Sequence, residues 1–400
     1  MTGLTVGVIG AGAAGVSAVK TLRAHGVDID IELFARNGET PHNRTLVNKG
    51  VAIGLLEPHQ TNLPPIGVQT SAYTVRGIDP RIRRVHLDSG NNRAFDALIV
   101  ATGSRPRPLD DTIVGRDQAL SAGRLTTLHS LTDAIRVRDL LATADPARVL
   151  FLGGGLVASE TASLLTDAGH NTVLIARSAL PGASAIGDDA ARQLLDLHRH
   201  HHAVHLGRDV CAIRTHADHI TVVLDDDTKV EGDLAIVAHG TLPAAPAPWT
   251  GPGGIAVDNR LRTLSAPDQR IYAAGGVAVH HYPGRSSYRI DHWDDATAQG
   301  AHAAKTLLHD LGHGDDPGAY LPASTFSARI HGRTLTGAGH PALASYTRVI
   351  SSEPLVVGHC LGDDLVALTG IDVTAAVRQW VSRLHAAHRS ELSDAQAGRR

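Results

Sequence analysis

Three glycines near the amino terminus have the spacing of a nucleotide-binding turn. The apolar run Val6–Ile9 leads into Gly10, Gly12 and Gly15, in the pattern G-x-G-x-x-G, and a helix-favouring segment begins at Ala13. In such a turn the first glycine permits the tight bend, the second lets a diphosphate approach the backbone, and the third lets helix and strand pack closely. The free N–H groups and the dipole of the helix favour an anion there. We therefore predict a dinucleotide diphosphate at this turn.

A second copy of the same unit lies farther along the chain. The strand-like run Arg148–Leu152 is followed by Gly153, Gly155 and Ala158, in the pattern G-x-G-x-x-A, and then by a predicted helix over Ser159–Ala168. One glycine pattern is a weak signal, but two copies of strand, glycine turn and helix in one chain are far more specific. The sequence therefore predicts two dinucleotide sites.

Composition limits the class of protein. A chain of 400 residues with 42% hydrophobic content can form two or three domains with large cores. The net charge of −3 gives no global basic field that would indicate nucleic acid. Nothing resembles a membrane span, and the first strand begins so close to Met1 that we expect no signal peptide. We expect a cytoplasmic protein.

The two cysteines bear on the route of electrons. Cys211 and Cys360 lie far apart and form no C-x-x-C pair. An enzyme that passes electrons through a redox-active disulfide needs two neighbouring sulfurs. The sequence therefore excludes that mechanism.

A family resemblance begins in the segment Pro41–Gly50, which reads PHNRTLVNKG. It resembles the P-Y-x-R-P-P-L-S-K-G stretch of the FAD-dependent ferredoxin and rubredoxin reductases, within the pyridine nucleotide-disulfide oxidoreductase superfamily. In that family the arginine and the lysine lie beside the flavin and its phosphates. The resemblance therefore places Arg44 and Lys49 there, although Thr45 and Leu46 stand where the family has a double proline.

Two further segments match the cofactor signatures of this family. Phe95–Ser104 matches h-h-h-h-A-T-G-S, and Arg270–Ala278 matches the second FAD signature. The resemblance gives these segments five cofactor-binding residues: Ala101, Thr102, Gly103, Gly275 and Gly276. The family has an aspartate where this chain has Gly276, and its carboxylate bonds a ribitol hydroxyl.

The first site also departs from the family at the end of its second strand. Ala35, Arg36 and Asn37 offer no carboxylate for the adenosine ribose, and Glu39 is the nearest acid. Arg36 is kept, with Ala13 of the first turn, among the predicted cofactor-binding residues. Each lost hydrogen bond to a charged acceptor is worth up to about 3 kcal/mol. We expect weakened FAD binding at a site that many other contacts maintain.

The segment Tyr288–Gly300 resembles the family's R-x-E-x-W-x-x-A-x-x-Q-G. In the family this helix start lies under the pyrimidine end of the flavin, where N–H groups stabilise charge on the reduced ring. The resemblance places His292 and Trp293 beside the flavin. The run His280–Tyr282 has no family counterpart, and we expect His281 to line a substrate pocket near the flavin. The predicted catalytic residues are Lys49, His281 and Trp293.

The residue after the second strand of the inserted site predicts the choice of nucleotide. An acid there bonds the ribose 2′-hydroxyl of NADH, whereas an arginine suits the 2′-phosphate of NADPH. The predicted strand Asn171–Ala176 is followed by Arg177. Arg177 therefore favours NADPH over NADH. The predicted preference is only slight, because arginine is abundant throughout this chain and its presence at one position is weak evidence.

Histidines cluster after the predicted helix Asp189–His198, where residues 199–205 read RHHHAVH. Consecutive histidines at a helix end point in different directions, and no acid or cysteine stands at ligand spacing. We predict a solvated helix terminus and no metal. Apolar residues at helical spacing predict an amphipathic helix over Val373–His388.

These observations predict an α/β fold with two Rossmann-like dinucleotide-binding domains and a C-terminal α+β domain. The expected boundaries are 1–110 and 245–317 for the FAD domain, 111–244 for the NAD(P) domain and 318–390 for the C-terminal domain. Residues 391–400 are expected to be a disordered tail.

The function that the resemblance implies is an FAD-dependent NAD(P)H oxidoreductase. Hydride passes from nicotinamide to flavin, and electrons go on to a ferredoxin-like protein. Two other interpretations stay open: a flavoenzyme that acts directly on a small organic substrate, and a relative that has lost FAD and has a non-redox role. The sequence leaves the oligomeric state open, with a homodimer among the expectations.

Overall fold

The computed structural model describes residues 3–144, 146–281 and 287–389. The chain divides into two compact units. The first comprises Met1–Arg44, Asn62–Arg105 and Thr241–Ser324, and the second comprises Thr45–Thr61, Pro106–Gly240 and Thr325–Arg400. Each unit contains one five-stranded parallel sheet, so the predicted α/β class is confirmed.

The parallel sheet of the first unit has the strand order of a Rossmann fold. Its strands, from one edge to the other, are Ile271–Ala273, Ala97–Val100, Leu4–Ile9, Ile29–Phe34 and Gln69–Ser71. The central strands are buried on both faces and are therefore rich in Val, Ile and Leu. The order reverses beside Leu4–Ile9, and ligands of such sheets bind outside the carboxyl ends of the strands at that point.

Two long helices pack against each other in the first unit. Helix Ala13–Ala24 follows the first strand, and helix Trp293–Asp310 lies across it. Their close approach depends on Gly300, because a Cβ there would overlap the carbonyl oxygen of Ala14. The remaining strands form two small sheets: Val75–Asp79, Arg84–Leu87 and Asn92–Ala94, then Ile255–Val257, Ala278–His281 and Ser287–Tyr288. Arg36–Gly38 and Pro267–Gln269 are 3-10 turns.

The second unit repeats the parallel-sheet arrangement. Its strands, in spatial order, are Ala203–Leu206, Asn171–Ala176, Arg148–Leu152, Leu234–Val237 and Leu125–Thr127. The helices of this part are Arg116–Ser121, Leu131–Thr143, Leu156–Asp167, Ala183–Ile186 and Asp188–His201. Helix Leu131–Thr143 begins with a capping box in which Ser130 and Asp133 each accept a backbone N–H.

Antiparallel strands complete the second unit. Val210–Thr215, Ile220–Leu224 and Lys229–Gly232 form a meander. A five-stranded sheet follows, in the spatial order Thr325–Ile330, Arg333–Gly339, Asp364–Ile371, Leu355–Leu361 and Tyr346–Ser352. Short helical turns cover Val47–Val51, Pro58–Thr61 and Pro341–Leu343. Outside this unit's sheets, the chain has two further short strands, Ser104–Pro106 and Thr241–Pro243.

One prediction from periodicity is wrong. The segment predicted as one helix over Val373–His388 contains helix Thr374–Trp380 and a 3-10 turn at Val381–Arg383. It is interrupted at His385, whose φ of 59° is left-handed. The predicted tail 391–400 lies outside the described residues.

The predicted solvated terminus of the histidine-rich helix holds for Arg199, His200 and His201, which are exposed. The helix continues to His201, and His198 is fully buried. His331, which is distant along the chain, lies near His198 and His202 in the fold.

No helix in the described ranges combines the length and apolar character needed to cross a bilayer.

Candidate dinucleotide-binding sites

The first glycine turn has the geometry that its spacing predicts. Gly10 has a φ of 109°, and a Cβ there would overlap the carbonyl oxygen of Ala101. A Cβ at Gly15 would overlap the carbonyl oxygen of Gly10, so this glycine lets the helix lie against the strand. At Gly12, by contrast, a Cβ would meet nothing within 4 Å. The second glycine therefore faces open space, where a diphosphate can approach the backbone.

That open space belongs to a cavity of about 300 Å³ in the first unit. Its lining includes six of the predicted cofactor-binding residues: Gly10, Gly12, Arg36, Arg44, Ala101 and Thr102. The lining backbone comes from the ends of the central parallel strands, where ligands of such sheets bind. The fold thus brings together residues that lie nearly a hundred positions apart in the sequence.

Arg44 gives the cavity a positive charge. Burial holds the pKa of Arg44 below its ordinary value, and the positive charge of Arg36 lowers it further, while Glu39 and Asp291 oppose this shift. Within residues 3–144, 146–281 and 287–389, no hydrogen bond or ion pair engages the Arg44 guanidinium. A buried cation without a partner is unfavourable, so this site fits an anion.

Two buried polar atoms in the cavity lining also lack partners. They are His42 Nε2 and Thr102 Oγ1, and neither has a hydrogen-bond partner in the part of the chain that the structure describes. Buried polar atoms are almost always hydrogen-bonded, so unsatisfied ones in a cavity indicate a polar ligand. The glycine turn, the arginines and these atoms fit the diphosphate and ribose of a dinucleotide such as FAD.

A carboxylate lies beside Gly276, the position at which the second FAD signature of the family has an aspartate. A Cβ at Gly276 would overlap Oδ1 of Asp291 and lie 3.1 Å from its Cγ. The carboxylate of Asp291 accepts a hydrogen bond from the Thr241 hydroxyl and lies 3.6 Å from Arg289 Nη1. Arg289 in turn donates to the carbonyl oxygen of Gly276 at 2.8 Å. A carboxylate is therefore present beside position 276, although it comes from another segment.

A buried hydrogen-bond network fixes the neighbouring backbone. The N–H of Gly275 donates to Gln299 Oε1 at 2.7 Å, and Gln299 Nε2 donates to Asp295 at 2.6 Å. Tyr320 donates to the other oxygen of Asp295 at 2.6 Å. Burial raises the pKa of Asp295, and the hydrogen bonds from Tyr320 and Gln299 oppose this shift. The amide of Gly275 is therefore satisfied within the protein.

The second glycine turn repeats the geometry of the first. Gly153 has a φ of 142°, and a Cβ there would overlap the carbonyl oxygen of Ala238. Gly155 caps helix Leu156–Asp167, and only Ala238 O, at 4.0 Å, approaches its would-be Cβ. Ala158 is fully buried in the first turn of this helix. Local geometry thus makes both turns able to accept a diphosphate.

Arg177 lies directly after strand Asn171–Ala176, as the sequence predicts. Its side chain is 75% exposed, and its Nε lies 3.8 Å from Asp209 Oδ1. Such an exposed ion pair is weak, so the guanidinium can turn towards another anion.

The predicted catalytic residues occupy three different settings. Lys49 belongs to the second unit, where its Nζ lies 4.0 Å from Glu160 Oε1. His292 caps helix Trp293–Asp310, and Trp293 is its partly buried first residue. His281 is exposed at the end of its strand, whereas the adjacent His280 is buried and lies 3.1 Å from Gln299 Oε1. Tyr282 lies outside the described residues.

Sequence reasoning did not single out several residues that line the cavity, among them His42, Tyr73 and Arg76. No local pattern marks them, because their strands and loops reach the cavity only through the fold. Glu39, the nearest acid to the missing ribose ligand, does line it. Asp291 carried a detectable signal, since it stands at the acidic position of the R-x-E-x-W motif.

Comparison with known proteins agrees with this geometry. Residues 4–300 match the model of a family described as pyridine nucleotide-disulphide oxidoreductase. The chain belongs to this family. Membership confirms the predicted oxidoreductase and its predicted use of FAD with a pyridine nucleotide.

Curated relatives within the family are reductases. The chain is 28% identical to the ferredoxin–NAD(+) reductase component of the 3-phenylpropionate/cinnamic acid dioxygenase of Photorhabdus laumondii, over 75% of this chain and 77% of the relative. It is also 28% identical to the rubredoxin–NAD(+) reductase of Pseudomonas putida, over 87% of this chain and 89% of the relative.

Solved structures agree on the fold. The chain resembles the reductase of the covalent putidaredoxin reductase–putidaredoxin complex with a TM-score of 0.82 and 24% identity, over 95% of this chain and 93% of the other. A ferredoxin reductase from Rhodopseudomonas palustris gives a TM-score of 0.80 at 22% identity, over 92% and 91%.

Proposed function

We propose that this chain is an NAD(P)H-dependent reductase of a small iron–sulfur or rubredoxin-type electron carrier. The observation that carries the proposal is the pair of equivalent glycine turns at Gly10 and Gly153. In both, a left-handed glycine is held against a carbonyl oxygen and the next glycine faces open space. Two dinucleotides in one chain suit hydride transfer between a nicotinamide and a flavin.

In this proposal the residues of the first unit hold FAD. Gly12 admits the diphosphate, Arg36 and Arg44 neutralise it, and Asp291 supplies the acceptor that Gly276 lacks. When bound, FAD supplies the conversion of one two-electron hydride into two single-electron transfers. We assign the positioning of this cofactor to the backbone at Ala101, Thr102, Gly103 and Gly275 and to His292 and Trp293. Ala13 and Gly15 set the packing of the helix whose N-terminus faces the diphosphate.

The second unit holds the nicotinamide dinucleotide. Gly153, Gly155 and Ala158 form its diphosphate turn, and Arg177 favours the 2′-phosphate of NADPH. We retain the division into an FAD domain, an NAD(P) domain and a C-terminal domain as part of the proposal.

Electrons leave the flavin for an external acceptor. Cys211 and Cys360 are both free, so they form no disulfide that could serve as a relay. The relatives described above are named as reductases of ferredoxin and rubredoxin, which supports a carrier of that kind here. The free thiols also suit the cytoplasm, where we place the protein.

Action on a small organic substrate is the second candidate function. The run His280–Tyr282, which has no counterpart in the family, is the sequence feature that favours it. His280 itself is buried against Tyr288, with ring centroids 5.0 Å apart, and contacts Gln299. The exposed His281 is the remaining candidate for substrate contact.

The test uses the full chain reconstituted with FAD under anaerobic conditions. Addition of NADPH or NADH should bleach the flavin absorbance. With excess nucleotide, catalytic amounts of the protein should then reduce rubredoxin or a [2Fe–2S] ferredoxin as well as ferricyanide. If the protein reduces ferricyanide but none of a panel of protein electron carriers, the carrier proposal is overturned. Failure to bind FAD would overturn the whole assignment.

A further inference from the structure

Three imidazoles converge in the second unit. His198 and His202 stand four residues apart at the end of helix Asp188–His201, and His331 lies in the turn between strands Thr325–Ile330 and Arg333–Gly339. One nitrogen from each ring can be chosen so that all three lie within 4.8 Å of one another. His198 and His331 are buried, and His202 is half-buried.

Hydroxyl groups orient two of these rings. His198 Nε2 lies 3.0 Å from Ser159 Oγ, which leaves its Nδ1 facing His331 Nε2 at 3.1 Å. His202 Nδ1 lies 3.2 Å from Thr172 Oγ1. Histidines that bind metals are held in this way, because a partner on one nitrogen fixes the ring and leaves the other nitrogen free as a ligand.

The cluster is not satisfied by the protein. His202 Nε2 is buried and has no hydrogen-bond partner in the described ranges of the chain. Unsatisfied buried nitrogens are rare and call for a partner.

The backbone at His331 is held in an unusual conformation. Its φ is 48°, in the left-handed region that non-glycine residues seldom adopt. Its N–H donates to Ser163 Oγ at 2.6 Å. Both Ser159 and Ser163 belong to helix Leu156–Asp167, so one helix anchors two sides of the cluster. Strain of this kind concentrates at functional positions.

We propose that His198, His202 and His331 form a zinc site that joins the histidine-rich helix to the C-terminal hairpin within the second unit. In a tetrahedral site with Zn–N bonds of about 2.0–2.1 Å, ligand nitrogens stand about 3.3 Å apart. The 3.1 Å between His198 Nδ1 and His331 Nε2 matches that spacing. Three imidazoles without a carboxylate suit Zn²⁺ better than non-haem iron, and water completes the coordination. The three ligands lie outside the glycine turns, and the water marks one coordination position that the protein leaves open.

The test is a Zn²⁺ titration of the full chain, loaded with FAD, free of any histidine tag and stripped with a chelator. We expect one Zn²⁺ per chain by chelator competition, a rise in Tm, and the visible spectrum of tetrahedral Co²⁺ on substitution. His202→Gln and His331→Asn should each weaken Zn²⁺ binding about 100-fold or more, and Thr172→Val about tenfold. His200→Gln is the matched control, since His200 is an exposed histidine on the same helix.

Several results would overturn the proposal. They are the absence of stoichiometric Zn²⁺ binding to the parent protein, unchanged affinity in both ligand variants, or equal loss in His200→Gln. Thr172→Val keeps every ligand, so it also tests the site if His331→Asn fails to fold. If Ni²⁺ or Cu²⁺ binds at the three histidines and Zn²⁺ does not, the zinc assignment is wrong.

Discussion

The carboxylate of Asp291 occupies the space that a side chain at Gly276 would need. A Cβ on Gly276 would overlap Asp291 Oδ1 and would lie 3.5 Å from Arg289 Nη1. The sequence shows a lost aspartate at position 276, whereas the structure shows an acid supplied from the strand-to-helix segment ahead of Trp293. In this chain the Asp291 carboxylate therefore fills the space beside position 276, and an acidic side chain at 276 would stand against it.

Introducing the family's aspartate at position 276 should therefore lower the stability of the protein and weaken FAD binding. Gly276→Asp places a second carboxylate against Asp291, and like charges in contact destabilise both the fold and an anion-binding site. We expect a lower Tm and weaker FAD binding. The double variant Gly276→Asp with Asp291→Ala should regain both, because it moves the single carboxylate from one position to the other. FAD titration and thermal unfolding of the three proteins check this, and a gain in affinity in the single variant would contradict it.

The parts of the fold that the sequence predicted are those with local signals. Both glycine turns and strand Asn171–Ala176 follow from spacing and apolar periodicity within short segments. The same reasoning failed at His385, where a left-handed backbone interrupts a segment with good helical periodicity. Apolar periodicity indicates which face of a helix is buried, but it does not indicate whether the backbone stays helical throughout the segment.

The parts of the site that the sequence did not predict depend on contacts between distant segments. Arg44 was assigned by resemblance, but its lack of an ionic partner could be seen only in the folded cavity. His198 and His331 are joined by a hydrogen bond across two segments, and no spacing rule relates them. The close approach of Asp291 to Gly276 is likewise a contact between two segments that no spacing rule relates.

Blocking the first glycine turn should remove FAD without unfolding the protein. Gly12 has ordinary backbone angles and open space around a would-be Cβ, so Gly12→Val is tolerated by the apoprotein but fills the place of the diphosphate. Gly253→Val is the matched control, because that exposed glycine also has open space and lies outside the cavity lining. Flavin content and Tm are the measurements. Full flavin content in Gly12→Val would place the cofactor elsewhere.

Nucleotide preference should depend on Arg177. The parent protein should have a higher kcat/KM for NADPH than for NADH, by several-fold to about tenfold for an exposed charge-assisted contact. Arg177→Ala should abolish the difference, and Asp209→Asn should enlarge it by releasing the guanidinium from its ion pair. Arg192→Ala, which removes an exposed arginine paired with Asp188 and Asp189, should change nothing. Equal kcat/KM values in the parent protein would refute the prediction.

Stability should fall in mildly acidic solution because of buried histidines outside the proposed zinc site. Burial lowers the pKa of His359 and of His302 to about 4, whereas the unfolded chain binds these protons below about pH 6.5. Their contribution is therefore complete above pH 6.5 and is lost as the pH falls towards 4. Each histidine adds a slope of about 1.4 kcal/mol per pH unit in that window.

The measurement is Tm between about pH 7.5 and about pH 4.5 in the presence of a chelator. His359→Gln keeps a polar partner for the Thr369 hydroxyl, which lies 2.7 Å from His359 Nε2, and it does not titrate. Its Tm should therefore depend less steeply on pH than that of the parent, whereas His200→Gln should retain the parent slope. A parent Tm that is flat across this range would contradict the prediction.

Removal of the Arg44 charge should change cofactor affinity and apoprotein stability in opposite directions. Because burial disfavours the charge of this guanidinium and no described residue forms an ion pair with it, Arg44→Met relieves an unfavourable charge, and the apoprotein should melt at the same temperature or higher. The same variant loses a charge-assisted contact to the diphosphate of FAD, worth about 1.5–3 kcal/mol, so the Kd for FAD should rise about 10–100-fold. Arg81→Met, at an exposed arginine of the first unit, should leave both quantities unchanged. A structural role for Arg44 predicts instead that apoprotein stability falls together with FAD affinity. That outcome would contradict a direct role of this residue in binding the diphosphate.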